Sequence, residues 1–134
     1  MNATDTALYG KLSSDTALTT LLGGTAIYNA VIPRDVALPC VVFWQISGVD
    51  DNATPRRSER LIYGVKGVAN TLYQAGQLAD RIDALLHQAA LSVTGYGTAF
   101  WVARESEISY MERDPVGHDI GHRGGEYAIR IATP

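Results

Sequence analysis

The sequence predicts an α+β fold: an antiparallel or mixed β-sheet of about five strands, with a long amphipathic helix and a short N-terminal helix packed on one face. Three observations predict it. The run Cys40-Val41-Val42-Phe43-Trp44-Gln45-Ile46 is β-branched and aromatic, and both of its alternating faces are largely apolar. Leu61, Tyr63 and Val65 then alternate with Ile62, Gly64 and Lys66. From Thr71 to Ala90, Leu72, Ala75, Ala79, Ile82, Leu85, Leu86 and Ala89 recur at spacings of three and four, which is a helix with one apolar stripe.

In chain order, the N-terminal stretch is helical. Thr4 or Asp5 can cap it, and Leu8 and Leu12 share a face. Ser14-Asp15 offers a second cap before Leu18, Leu21 and Leu22, and Gly23-Gly24 ends the element, so the region is one kinked helix or two short ones. Ala26 to Val31 is a short strand. Pro33 and Pro39 bracket an irregular connector to the apolar strand at Cys40. With both faces apolar, that strand is expected to be covered on one side by helix and on the other by another element or subunit.

Val49 to Glu59 is polar, holds Pro55 and lacks periodicity, so it reads as a mobile loop or arm between two strands that pair as a long hairpin. Asn70 is placed to cap the long helix. Strand then resumes over Ala99 to Tyr110. A turn-rich stretch runs from Asp114 to Gly125, and a last strand from Tyr127 to Ala132 puts Tyr127, Ile129 and Ile131 on one face and Arg130 on the other. Such a sheet leaves open edges that a native protein must cap or use.

The chain has 134 residues, which fits a single domain over residues 1–134. Its net charge of −3 argues against a strongly basic nucleic-acid binder. A lone cysteine, Cys40, cannot form an internal disulfide. Met1 to Tyr9 has neither a basic region nor a long apolar run, so no signal peptide is expected, and no stretch approaches the roughly 18 apolar residues of a membrane span. The expected location is the cytoplasm or a particle assembled there.

No catalytic constellation emerges. His118, Asp119 and His122, near Asp114, suggest a divalent metal site, but the surrounding glycines argue against the helix that would align two histidines, and no third ligand has matching spacing. Polar residues of a hairpin turn are the expectation. The same glycines lack the lysine and the following helix of a phosphate loop. Cys40, opening the most apolar strand, is expected as a small buried hydrophobe rather than a nucleophile. Glu105, Glu107 and Glu112 have no second catalytic element beside them. Arg56, Arg57 and Arg60 form the densest cationic cluster, suited to an acidic neighbour or to phosphate, and several copies lining a channel would sum their fields. Trp44, Tyr96, Phe100 and Trp101 are expected in the core rather than as stacking platforms.

The whole pattern resembles a known family. Ser14-Asp15-Thr16-Ala17-Leu18 with Leu22-Gly23 opens it, and Leu38-Pro39-Cys40-Val41-Val42-Phe43 follows. A polar arm leads to Arg60-Leu61-Ile62-Tyr63. Ala75, Leu78, Ala79, Ile82, Leu85 and Leu86 mark the helix, and Gly125-Glu126-Tyr127-Ala128-Ile129 closes the chain. Over nearly its full length it resembles the tail-completion, or tail terminator, proteins of tailed bacteriophages. The resemblance implies a structural, cofactor-free protein of the virion, assembled in the host cytoplasm. It implies a hexameric homo-oligomeric ring that caps the tail tube, meeting tail-tube protein on one side and neck or head-completion protein on the other, with DNA passing through its lumen. The arm at 49–60 matches the family's variable loop. Residues expected to face neighbours are Asp50, Asp51, Arg56, Arg57 and Arg60 in the first arm and His118, Asp119, His122 and Arg123 in the second. The competing readings are another ring-forming neck or tail-tube protein, a small metal-dependent enzyme, and a nucleic-acid-binding module.

Overall fold

Two long hairpins joined side by side make up most of the main sheet. In the computed structural model, which describes residues 2–51 and 57–132, the chain runs α1 (Asn2–Ser13), α2 (Thr16–Leu22), β1 (Ile27–Asn29), β2 (Cys40–Asp51), β3 (Ser58–Ala69), α3 (Leu72–Leu86), β4 (Ser92–Val93), β5 (Gly97–Thr98), β6 (Trp101–Arg113) and β7 (Asp119–Ala132). Five strands pair in the order β1-β2-β3-β7-β6, and β4 and β5 form a separate small hairpin. β1 joins β2 in parallel, and the remaining pairs are antiparallel. The sheet is therefore mixed, with helices on one face, as the sequence predicts.

That face carries the alternation read from the sequence. Val41, Phe43, Leu61, Tyr63, Val65, Tyr127, Ile129 and Ile131 are buried in one cluster with Leu78, Ile82 and Leu86 of α3 and with Leu8, Leu12, Leu18 and Leu22 of the first two helices. Close approach of α3 depends on small strand residues: a Cβ on Gly67 would come within 2.4 Å of the Leu78 Cβ. The opposite face buries less. There the connector packs Ile32 and Leu38 against Cys40, Val42, Val68 and Trp44, so the apolar strand is covered on both sides by its own chain.

Several boundaries differ from the sequence reading. α1 extends back to Asn2, so Thr4 is not a cap but a fully buried helical residue, and Asp5 accepts a hydrogen bond from the Tyr63 hydroxyl at 2.5 Å. α2 is a separate helix: Asp15 caps it by accepting from Leu18 N, and Gly23 closes it at φ 72°, a left-handed conformation that glycine adopts without a Cβ clash. Thr71, not Asn70, caps α3 through its hydroxyl oxygen. α3 ends at Leu86 rather than near Ala90 because the next residues bind the neighbouring strand. Gln88, at φ 55°, donates its N–H to Val102 O at 2.7 Å, and Arg104 N donates to His87 Nδ1 at 3.1 Å.

The segment read as a polar loop is largely strand. β2 continues to Asp51 and β3 begins at Ser58, because cross-strand pairing with the partner, not apolar alternation, carries the ladder outward. The part of that arm at 52–56, including Arg56, lies outside the described residues. Likewise the turn after β6 spans only Asp114 to His118, and Asp119, His122 and Arg123 belong to β7 rather than to a loop.

Candidate assembly surface

β6 forms one edge of the sheet. From Arg104 to Arg113 its residues are exposed, apart from the half-buried Ile108. A strand this long with one unpaired side is a template for another chain unless it is charged or interrupted. Here it carries Glu105, Glu107 and Glu112 and a bulge between Arg104 and Ser106.

The two hairpins sit at opposite ends of the sheet. Asp51 and Ser58 lie level with Ala132, at the end of β7, whereas the Asp114–His118 turn precedes its first residue. With β7 14 residues long, the two tips are separated by about 45 Å at the usual strand rise.

At the first tip, Arg57 Nη2 pairs with Asp50 Oδ2 across the ribbon at 2.6 Å, and the Ser58 hydroxyl donates to Asp51 Oδ2 at 3.4 Å. Arg60 is an ion pair with Glu105, which the β6 bulge brings across β7. Of this cluster, the described Arg57 and Arg60 each hold a carboxylate of the same chain.

At the second tip, Asp114 Oδ1 accepts from Val116 N at 3.0 Å and His118 N at 2.8 Å, which folds the turn tightly. Those backbone donors, the His118 N–H first, hold the Asp114 carboxyl below the usual carboxylate range. The turn presents Val116, 79% exposed, at its apex. Arg113 Nε pairs with Asp119 Oδ1 at 3.1 Å at its base.

His118 and His122 do not come together. His118 meets Asp114 at the tip, while His122 is buried on the sheet face opposite the helices, stacked on Tyr110 at 4.4 Å between ring centroids and 9° between planes. His122 Nε2 lies 2.6 Å from Glu112 Oε1, and its Nδ1 has no partner among the described residues. Burial, the largest cause, and the nearby Lys66 hold the imidazole below the ordinary histidine value against the opposing pull of Glu112. In its neutral form, the ring satisfies the Glu112 carboxylate by donating from Nε2, which leaves Nδ1 as the acceptor. Lys66 Nζ stands 5.3 Å from the Trp44 ring and 5.0 Å from the Tyr110 ring, and donates to the Tyr110 hydroxyl at 2.6 Å. Arg123 points the other way, toward α3, with Nε donating to Ser109 Oγ at 3.1 Å. Among the described residues no three of His, Cys, Asp and Glu gather where they could hold a metal ion, and no helix is long and apolar enough to cross a membrane.

The sequence reading misplaced two aromatics. Tyr96 packs against the core, but Phe100 and Trp101 are 58% and 48% exposed. Trp101 opens the edge strand and Phe100 immediately precedes it, where no further strand among the described residues covers them, and nothing in the local sequence marks that edge.

A family model described as Tail completion protein gp17 matches residues 6–120. The chain belongs to this family. It is accordingly a structural protein of a phage tail. Among solved structures, a chain from a particle described as "Virion of native gene transfer agent (GTA) particle" has the same fold, with a TM-score of 0.76 at 19% identity over 95% of this chain and 92% of that one. A comparison with curated protein sequences gave no match. In this tail-completion protein, Trp101 of the edge strand, Phe100 just before it, and Val49 and Val116 of the two hairpins are among the exposed apolar side chains.

Proposed function

We propose that this tail-completion protein assembles into a closed hexameric ring that caps the tail tube and joins it to the neck or head, with no catalytic role and with DNA passing through its lumen. Its place is then the virion, reached by assembly in the host cytoplasm. The observation that carries the reading is the placement of two hairpin tips at opposite ends of one sheet, flanked by the long exposed β6 edge. Opposite tips suit a protein that meets one partner above and another below, and an open edge suits contact with a neighbouring copy.

In this reading Asp50, Asp51, Arg57 and Arg60 serve contacts at one tip, and His118 and Asp119 serve them at the other. His122 and Arg123 act from behind, since they tie β7 to β6 through Glu112 and Ser109. The chain of the same fold in the gene transfer agent virion supports placement in a virion. The test is electron microscopy of tails assembled with and without the protein. The reading expects ring density at one tube end, with head joining lost when either tip is replaced by a short Gly-Ser linker. Tails that join heads normally without the protein contradict it.

A further inference from the structure

One row of directly opposed residues crosses the sheet from edge to edge: Val49 opposite Arg60, Arg60 opposite Arg130, and Arg130 opposite Trp101. Opposed residues share a face, and alternation from Leu61 and Ile129 of the core puts these four on the face without helices. Two arginines directly opposite each other repel. The bulged Glu105 offsets one of them by pairing with Arg60. Arg130 is exposed, and among the described residues no carboxylate pairs with it.

The two ends of the row are complementary. At the β6 end, Trp101 and Phe100 border a cleft of about 280 Å³ that Gln88, Ala89, Ala99 and Val102 complete. At the β2 end, Val49 is 61% and Ile46 45% exposed. Asp51 follows two residues on, and so on the same face as Val49. Among the described residues it meets no cation, only the Ser58 hydroxyl at 3.4 Å. Among the described residues, one end thus offers the exposed rings of Phe100 and Trp101 beside a cation that no carboxylate pairs, and the other offers apolar side chains beside an anion that no cation pairs.

We propose that these ends bind each other between copies: the Trp101–Arg130 end of one subunit receives the Val49–Asp51 end of the next, with the Asp51 carboxylate on the Arg130 guanidinium. This rests on the ring reading above and gives it a contact. The two surfaces lie on opposite edges of the sheet, so the contact is heterologous, repeats head to tail, and closes where the rotation allows. The occupant is a second copy because the charge and the apolar groups that Arg130 and the cleft lack both stand on the opposite edge of this same chain.

The test is sedimentation velocity of the full chain across a concentration series, for the wild type, Arg130→Glu, Asp51→Arg and the double variant. Each single variant is expected to raise the concentration for half-assembly roughly tenfold or more, and the double variant to recover most of it, as charge-pair cycles do at interfaces. Arg130→Glu also removes the repulsion with Arg60, so its thermal unfolding should be unchanged or higher. That separates lost assembly from lost folding. Single variants that assemble like the wild type overturn this contact and leave the ring reading standing. If the singles dissociate and the double stays dissociated, Arg130 meets a different acid of the neighbouring copy, which overturns the pairing with Asp51. A wild type that never assembles, alone or with tail-tube protein, ends the ring reading and this contact with it.

Discussion

Arg81 of α3 holds Asp15 with two hydrogen bonds, from Nε to Oδ2 at 2.8 Å and from Nη2 to Oδ1 at 2.7 Å. The same carboxylate caps α2 by accepting from Leu18 N at 2.8 Å. One side chain therefore starts a helix and locks it to another. Asp15→Ala is expected to destabilise by about 1–2 kcal/mol, the range for a lost cap, and Asp15→Asn by less, because the cap survives. The Arg81 hydrogen bond, as the largest cause, lowers the Asp15 carboxyl below its ordinary value. Its contribution is therefore present above the unfolded carboxylate value of about 3.9 and is lost as pH falls through the lower folded value. Denaturant midpoints of the wild type and the two variants, measured from pH 7 down to pH 3, check both points.

Glycine substitutions should separate by the space beneath them. A Cβ on Gly67 would sit 2.4 Å from the Leu78 Cβ, which α3 cannot move without shifting as a whole. Gly67→Ala is expected to cost about 1–3 kcal/mol, as overpacking does. At Gly10, inside α1, an added Cβ would meet no neighbour within 4 Å. Gly10→Ala should therefore stabilise by about 0.5–1 kcal/mol through helix propensity. Thermal unfolding of both variants side by side reads the difference in sign.

His122 should make the fold acid-sensitive. The groups facing it are Glu112 and Tyr110 from β6 and Lys66 from β3. Its folded value lies below the unfolded one, so the unfolded chain binds the proton first. Stability is then full above about pH 6.5 and falls as pH drops toward the lower folded value. In melting temperatures between pH 8 and pH 5, His122→Gln should flatten this slope. An unchanged slope contradicts the assignment.

Cys40 should be inert in the native state. It is fully buried, and burial raises its thiol to about 11. A thiol reagent at pH 8 is expected to react with it only as fast as the chain unfolds, and promptly in denaturant.

Much of the fold was legible because one face of each strand has a single job. Leu61, Tyr63 and Val65, and again Tyr127, Ile129 and Ile131, alternate cleanly and are buried where that alternation puts them. What stayed hidden depends on partners rather than on local pattern. Asp50, Asp51, Ser58 and Glu59 extend a ribbon because they face one another, although none reads as a strand residue. His122 looks like a loop ligand until the register sets it opposite Val68 and Tyr110. Trp101 looks like core until β6 proves to be an edge. The candidate surface was thus legible as two arms, but Arg130 and Trp101 between them were not.

The central claim is assembly, and the most direct measurement is the absolute mass of the purified protein by light scattering, alone and mixed with its tail-tube protein. The account predicts a discrete mass near six subunits, either alone or once the tube protein is present. A strict monomer of 14.4 kDa under both conditions would contradict it.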